Sequence, residues 1–218
     1  MRKDSTNPAA EQRSPRRRPQ GLVRGGLVAA GVELARGGGP DAVTLREATR
    51  RVGVAPNAAY RHFADRDALL GAVCVASMRL MAERMETEVA RVAEPADTAF
   101  GATERLCAIG RAYLDFARAE QGLFATAFAM PRHLEYASSE AAAGPGGRTP
   151  LQLLSEALDR LAAAGILPSE RRPGAEYPIW ASVHGMAVLT TQGPLRPLPS
   201  PQTDQMDDLL LAFIVRGL

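Results

Sequence analysis

Apolar residues recur at helical spacing along almost the whole chain from Gly21 onward, and no sustained alternation with a period of two interrupts them. Leu27, Val32 and Ala35 give the first apolar stripe, which ends at the breaker sequence over 37–40. Alanine and leucine, both strong helix formers, dominate the segments between the later breakers. The pattern therefore predicts an all-α protein.

Capping residues and helix breakers divide this pattern into separate helices. The stretch "TLRE" is a capping box, in which the Thr44 hydroxyl accepts from the Glu47 amide and the Glu47 side chain reaches back. Pro56 suits the first turn of a helix, because its missing N–H would be unpaired there anyway. The predicted helices cover about residues 21–39, 44–52, 56–62, 66–92, 98–119, 120–130, 150–164, 175–192 and 203–217.

The second and third predicted helices are short and are joined by a tight turn at Gly53, which is a helix-turn-helix pattern. On the third helix, Ala59 and Phe63 are four residues apart and share a face that would pack inward. Asn57 and Arg61 share another face, which would point outward. Because Asn can bind adenine and Arg can bind guanine or phosphate, this helix is predicted to enter the DNA major groove.

Further residues near this turn suit contact with DNA. Tyr60 and His62 have polar tips that could donate to phosphate oxygens, and the small Ala58 would let the helix approach the groove closely. Arg46 and Arg50 lie on the helix before them. Taken singly, each of these side chains also suits a small core or a solvated surface. Their grouping on one short segment favours DNA binding.

Charge is distributed unevenly along the chain. Residues 1–61 carry 12 Lys and Arg against 5 Asp and Glu, whereas the remaining residues carry 14 against 19. A basic front on an acidic body is expected to meet a polyanion. Residues 1–20, with three prolines and the run Arg16-Arg17-Arg18, are predicted to form a disordered basic arm. Such an arm either enters the adjacent minor groove or acts as a non-specific counter-charge.

Residues 22–72 resemble the N-terminal DNA-binding domain of the TetR family of transcriptional regulators. The matching stretches are "AGVELA", "VTLREATRRVGVAPNAAYRHFADRDALL" and the long helix that follows. The resemblance implies a three-helix DNA-binding domain over 21–72 and a helical effector-binding and dimerisation domain over 73–218. It also implies phosphate contacts from Tyr60, His62 and Arg66. The positions that read bases in the family fall near Thr44, Arg46, Ala55, Pro56 and Asn57.

The chain departs from the family pattern at several positions. Ala48 stands where the family usually has a larger aliphatic residue, and Thr49 stands where it has alanine. Ala55 replaces the usual Ser or Thr cap of the recognition helix, which removes a cap worth about 1 kcal/mol. Arg66 replaces the usual lysine, and it keeps the charge but changes the geometry of the contact. These changes indicate a repacked small domain of the same type.

The last predicted helix carries an apolar face that suits either an intramolecular core or a dimer interface. A dimer is expected because one short recognition helix covers too little DNA for specificity. The resemblance implies pairing through the last two helices into a four-helix bundle. The apolar face consists of Met206, Leu209, Leu210, Phe213 and Ile214.

The middle of the chain is expected to hold a pocket for a small, fairly apolar effector. Trp180, His184 and Gly185 form a Trp-x-x-x-His-Gly pattern that resembles the family subgroup with a Trp-His-Gly signature. His184 suits either a core position or a role beside Tyr113 in orienting the effector. Helical spacing does not separate pocket residues from plain core residues. The candidate pocket residues are Phe100, Tyr113, Phe116, Phe124, Phe128, Leu154, Trp180 and His184.

The predicted function is that of a ligand-responsive repressor that binds operator DNA as a homodimer. No catalytic motif, cofactor motif or metal-ligand spacing is visible, and Cys74 and Cys107 are expected to be buried thiols. The sequence has no apolar run near 18 residues and no apolar stretch behind the basic start, so a cytoplasmic location without a membrane partner is expected. Two other functions remain open: a constitutive DNA-binding protein, and an enzyme built from scattered residues.

Overall fold

A computed structural model describes residues 20–130 and 138–218, and the chain in these ranges is helical without any strand. The all-α prediction is therefore confirmed, whereas the proposed arm residues Arg16-Arg17-Arg18 lie outside the described residues. Short 3-10 turns occupy Pro40–Ala42, Glu140–Ala142 and Ser169–Arg171. The described α-helices are α1 (Gln20–Gly38), α2 (Leu45–Val52), α3 (Pro56–Ala59), α4 (Arg66–Ala90), α5 (Ala99–Ala119), α6 (Gln121–Ala127), α7 (Pro150–Ala163), α8 (Glu176–Thr191) and α9 (Ser200–Gly217).

Side-chain caps begin several helices at the predicted positions. The Ala68 amide donates to Asp65 at the start of α4, over 2.8 Å. At α7 both halves of a capping box form, because the Gln152 amide donates to the Thr149 hydroxyl and the Thr149 amide donates to the Gln152 side chain. At α2 only the first half of the predicted box forms: the Glu47 amide donates to Thr44 at 3.2 Å. The Glu47 carboxylate binds arginine side chains of its own helix instead.

The third helix is shorter than predicted. Its regular part ends at Ala59, and a turn follows in which the amides of His62 and Phe63 both donate to the Ala59 carbonyl. Ala55 supplies no side-chain cap, and Asp65 begins the next helix only a few residues later, so little chain is left for a full second turn. The predicted helix over 56–62 is therefore wrong in its last turn.

The first three helices and the start of α4 share a small apolar core. Leu27, Val43, Ala59 and Phe63 are all buried there. Close approach of α1 to α4 depends on Gly31, because a Cβ at that position would lie 2.5 Å from a methyl group of α4. This core is continuous with that of the larger part of the molecule.

Helix α5 lies at the centre of the larger part and packs against α4, α7, α8 and α9. Helix α6 packs against both α4 and α1. The approach of α6 to the end of α1 is close, since a Cβ on Gly122 would lie 2.1 Å from the carbonyl oxygen of Ala35. Arg36 also donates to Glu120 at 2.9 Å. The first turn of α6 therefore joins the small helical domain to the rest of the molecule.

Candidate nucleic-acid interface and cavity

Helix α3 and the turn after it present polar side chains outward over an apolar base. Asn57, Tyr60 and Arg61 are exposed, and 59% of the surface of Tyr60 is open to solvent. Ala59 and Phe63 are buried beneath them, as the helical spacing predicted. This face therefore offers an amide, a phenol and a guanidinium to whatever approaches it.

The other predicted DNA-contact positions lie around the same helix pair. Arg46, Ala55 and Pro56 are exposed, whereas Thr44 and His62 are half-buried. The Thr44 hydroxyl already accepts a bond from the backbone of α2, so its role as a helix cap is visible in the structure. All five positions lie within or next to the two short helices in sequence, and none of them is fully buried.

Several arginines surround this helix pair. Arg50 donates to Glu47 at 2.6 and 2.9 Å, and this bonding lowers the pKa of the Glu47 carboxyl to about 2. The Arg24 guanidinium lies 5.2 Å from the ring centre of Phe63, within cation–π range. Arg24 was not predicted as part of this site, since no spacing rule links two residues so far apart along the chain.

Arg66 is held by the backbone of the turn between α1 and α2. Its guanidinium donates to the carbonyl of Val43 at 2.9 Å and to that of Pro40 at 2.7 Å. Two carboxylates, those of Asp41 and Asp67, lie 3.8 Å from it. A planar guanidinium can donate to two carbonyls in this way, whereas a lysine presents a single ammonium group. The arginine that departs from the family pattern thus has a structural task here.

A cavity of about 70 Å³ lies between the helices of the larger part. Its walls come from α4, α5, α7, α8, α9 and Phe128. One wall consists of Met78, Met81 and Met85, which recur at helical spacing on α4. The surface of the cavity is almost entirely apolar.

One row of polar atoms borders the cavity. The Oη of Tyr113 lies 2.7 Å from Nδ1 of His184, and Nε1 of Trp180 donates to the same Oη over 3.4 Å. Burial lowers the pKa of His184, which favours its neutral form near pH 7, and burial raises the pKa of Tyr113. Rings of Phe124 and Phe128 lie 5.5 and 4.6 Å from the His184 ring.

The structure separates the predicted pocket residues into two groups. Tyr113, Phe128, Leu154 and Trp180 line the cavity. Four other predicted residues lie elsewhere: Phe116 and Phe124 are buried outside the lining, His184 lies behind Tyr113, and Phe100 is on the surface.

The prediction for Phe100 is wrong, because 62% of its surface is exposed. It lies in the first turn of α5, before that helix enters the core. The methionines of α4 were missed, although their i, i+3, i+7 spacing is visible in the sequence.

Exposed apolar side chains concentrate on the last two helices. Of the seven large exposed apolar residues in the described ranges, four lie on α8 and α9: Tyr177, Leu189, Leu209 and Phe213. Ile214, predicted to share the outer face of α9, is instead buried with Leu211 against the molecule's own core. The helix turns these two residues inward and leaves its neighbouring stripe uncovered.

The described residues contain no cluster of His, Cys, Asp or Glu that could hold a metal ion. Within the same ranges, no helix is both long enough and apolar enough to cross a lipid bilayer.

The helix pair and the helical body define a DNA-binding transcriptional regulator of the helix-turn-helix class. A family model described as "Bacterial regulatory proteins, tetR family" matches residues 27–73. A second model, "Tetracyclin repressor-like, C-terminal domain", matches residues 106–214. The chain belongs to the TetR family of transcriptional regulators, as its sequence motifs predicted.

Solved structures share this fold at low sequence identity. A protein of unknown function from Rhodococcus sp. RHA1 is 24% identical, with a TM-score of 0.69 over 94% of this chain and 99% of its own. RolR in complex with resorcinol is 16% identical, with a TM-score of 0.64 over 91% and 88%. PfmR from Thermus thermophilus is 16% identical, with a TM-score of 0.57 over 88% and 98%. A comparison with curated proteins found no match.

Proposed function

We propose that this protein is a repressor that binds operator DNA as a homodimer and releases it when a small, fairly apolar molecule enters the cavity. The observation that carries DNA binding is the outward face of α3 and its following turn. There, Asn57, Tyr60 and Arg61 are exposed while Ala59 and Phe63 anchor the segment from below. A segment held in this way can enter a major groove without unfolding its support.

The roles proposed for the exposed residues follow from their chemistry. Asn57 and Arg61 read base edges, because an amide matches adenine and a guanidinium matches guanine. Tyr60 and His62 bind phosphates and set the position of the helix on the duplex. Arg46, Thr44, Ala55 and Pro56 border the same groove, and Arg66 adds positive charge at the start of α4.

The experiment is to select the DNA that the purified protein binds from a random pool, and then to substitute Tyr60 and Arg61. Arg61→Ala should relax the sequence preference at particular positions, whereas Tyr60→Phe should weaken binding to all sequences alike. The matched control is Arg160→Ala, which removes an exposed arginine from α7 and should leave DNA binding unchanged. Full specific binding by the Tyr60 and Arg61 double variant would contradict this placement of the interface.

The dimer is proposed to form through α8 and α9. Leu209 and Phe213 are 60% and 65% exposed, and Leu189 contributes a further uncovered apolar side chain from α8. Gly185 lies on α8 with no atom within 4 Å of the position that a Cβ would take. Packing within one copy of the chain therefore does not require glycine at this position. Close approach of a second copy would require it.

Sedimentation velocity tests the dimer. Phe213→Asp places a charge in the proposed interface and should convert the dimer to a monomer. Leu22→Asp is the matched control, because Leu22 is 67% exposed on α1, outside the proposed interface. A variant at Phe213 that still sediments as a dimer would overturn this choice of surface.

Release of DNA is proposed to act through α4, since this helix contributes to both the small core and the cavity. Leu69 and Val73 are buried near α1, and Met78, Met81 and Met85 line the cavity. A ligand that binds better to one position of α4 shifts the population toward that position. In the resulting dimers, the two α3 helices no longer match successive major grooves of the DNA. RolR, which holds resorcinol, shares this fold. Operator binding that no ligand alters would instead indicate a constitutive DNA-binding protein.

A further inference from the structure

The cavity contains very few polar atoms. Among its described lining residues, only Tyr113 and Trp180 carry a side-chain oxygen or nitrogen. Their polar atoms lie 3.4 Å apart, and the Tyr113 Oη continues to Nδ1 of His184 at 2.7 Å. A ligand that forms a hydrogen bond with the described side chains lining the cavity must therefore form it at this short row.

Chemistry fixes the direction of the hydrogen bond from Trp180 to Tyr113, whereas the direction between Tyr113 and His184 is set by which ring nitrogen of His184 carries the proton. An indole N–H only donates, so Tyr113 accepts from Trp180. When the proton of a neutral His184 is on Nε2, Nδ1 accepts the single proton of the Tyr113 phenol. Burial lowers the pKa of His184, which favours the neutral ring. The Tyr113 oxygen then retains capacity to accept one more hydrogen bond.

We infer that His184 carries its proton on Nε2, and that the effector is a neutral, single-ring phenol whose hydroxyl donates to the Tyr113 oxygen. The inference rests on the proposed function, because it names the class of molecule that occupies the same cavity. A ligand hydroxyl that donates to Tyr113 adds one hydrogen bond to the row of Trp180, Tyr113 and His184 and breaks none of the existing ones. An acceptor such as a ketone or an ether would have to take the Tyr113 proton away from His184 or the indole proton of Trp180 away from Tyr113.

The charge of the effector follows from the cavity walls. None of the described lining residues is Lys or Arg. A carboxylate buried in such surroundings would lose its hydration without gaining a cationic partner, which is unfavourable. A phenol remains neutral near pH 7, because the pKa of a phenolic hydroxyl is about 10.

The ring and its size follow from the shape and chemistry of the walls. The rings of Phe128 and Trp180 have their centres 6.3 Å apart, and three methionine sulfurs belong to another wall. Aromatic rings and thioethers both make favourable contacts with a planar aromatic ligand. A dry cavity of about 150 Å³ is known to hold benzene. The cavity of about 70 Å³ is smaller, so a second ring is excluded, and the flexible methionine side chains must move to admit even one ring.

The binding experiment uses the whole protein and four probes of similar size: phenol, anisole, toluene and benzoate. Titration calorimetry gives the dissociation constants. The fluorescence of Trp180, the only tryptophan in the chain, reports whether the cavity is the site. Phenol should bind about five to ten times more tightly than anisole, which has the same ring but no proton to donate. Benzoate should not bind measurably.

Tyr113→Phe tests the hydroxyl contact directly. This variant should bind phenol and anisole equally, while its binding of toluene shows that the cavity is still formed. Tyr177→Phe is the matched control, since Tyr177 is exposed on α8 and its variant should keep the preference for phenol. Anisole or benzoate binding as tightly as phenol would overturn the inference, and so would a Tyr113→Phe variant that still prefers phenol.

Failure of this inference can be separated from failure of the proposed function by measuring operator binding on the same preparations. If no ring compound binds, but operator is bound and another compound releases it, the inference is wrong and the proposed function stands. If the protein binds no DNA while phenol is preferred, the ligand class stands and the proposed function fails.

Discussion

Replacing Gly122 by alanine should destabilise the contact between α6 and α1. A Cβ at this position lies 2.1 Å from the carbonyl oxygen of Ala35 and 2.8 Å from that of Arg36. Both atoms belong to the backbone, so they cannot rotate away as the end of a side chain can. One helix must therefore retreat by about 1 Å before the contact becomes tolerable.

The size of the effect follows from two opposing contributions. Forcing extra atoms into a closely packed region usually lowers the free energy of unfolding by about 1–3 kcal/mol. Alanine is better than glycine inside a helix by up to about 1 kcal/mol, which offsets part of the loss. The net decrease should be about 1–2 kcal/mol, which for a chain of this size lowers the melting temperature by about 2–8 °C.

Thermal unfolding followed by circular dichroism measures this shift. Protein concentration must be the same for all samples, because a dimer's melting temperature depends on it. Gly25→Ala is the matched control: Gly25 lies exposed within α1, with no atom within 4 Å of a Cβ there. Its melting temperature should stay level or rise. A Gly122→Ala variant that melts at or above the wild-type temperature would refute the steric argument.

Three further predictions follow from buried groups and caps. Arg118→Met leaves the Asp207 carboxylate buried without the cation that binds it, so the free energy of unfolding near neutral pH should fall by about 3–5 kcal/mol. Burial raises the pKa of Asp207, and loss of Arg118 should raise it further. The folded variant then binds a proton that the unfolded chain releases, so its free energy of unfolding should rise as the pH is lowered toward the ordinary pKa of Asp. Urea unfolding in which the variant's loss of stability is the same at every pH would contradict this. The Cys74 thiol is buried, donates to the Ala127 carbonyl and has its pKa raised to about 11, so iodoacetamide at mildly alkaline pH should label it only after unfolding, as judged by mass spectrometry. Thr149→Ala removes half of a capping box and should lower the stability by about 1 kcal/mol; an unchanged melting temperature would count against the cap.

Helix positions were predictable where a local interaction sets them. Helices α4 and α7 begin at the predicted residues 66 and 150, and α5 begins one residue after the predicted 98, because Asp65, Thr149 and Thr98 each cap an amide only three residues further on. The end of α3 was not predictable in this way. It depends on how soon the chain must turn into α4, and helical spacing alone does not contain that constraint.

The inward and outward sides of α3 and the turn after it also followed from spacing, since Ala59 and Phe63 had to share the buried face. The residues that line the cavity could not be predicted from spacing. Whether an aromatic residue lines a space or fills one depends on which helices meet, and this is decided by contacts far apart in sequence. Phe100 and Phe124 look alike in the sequence, yet one lies on the surface and the other is almost completely buried.

The methionine wall of α4 has a consequence for selectivity. An unbranched thioether side chain has three rotatable bonds and can reshape itself around different outlines without moving the helix that carries it. The row at Tyr113 offers no comparable freedom, because its atoms are fixed by neighbours on two helices. Such a cavity would select its ligands by polarity more than by shape. Several substituted analogues of one ligand would then bind and produce the same response.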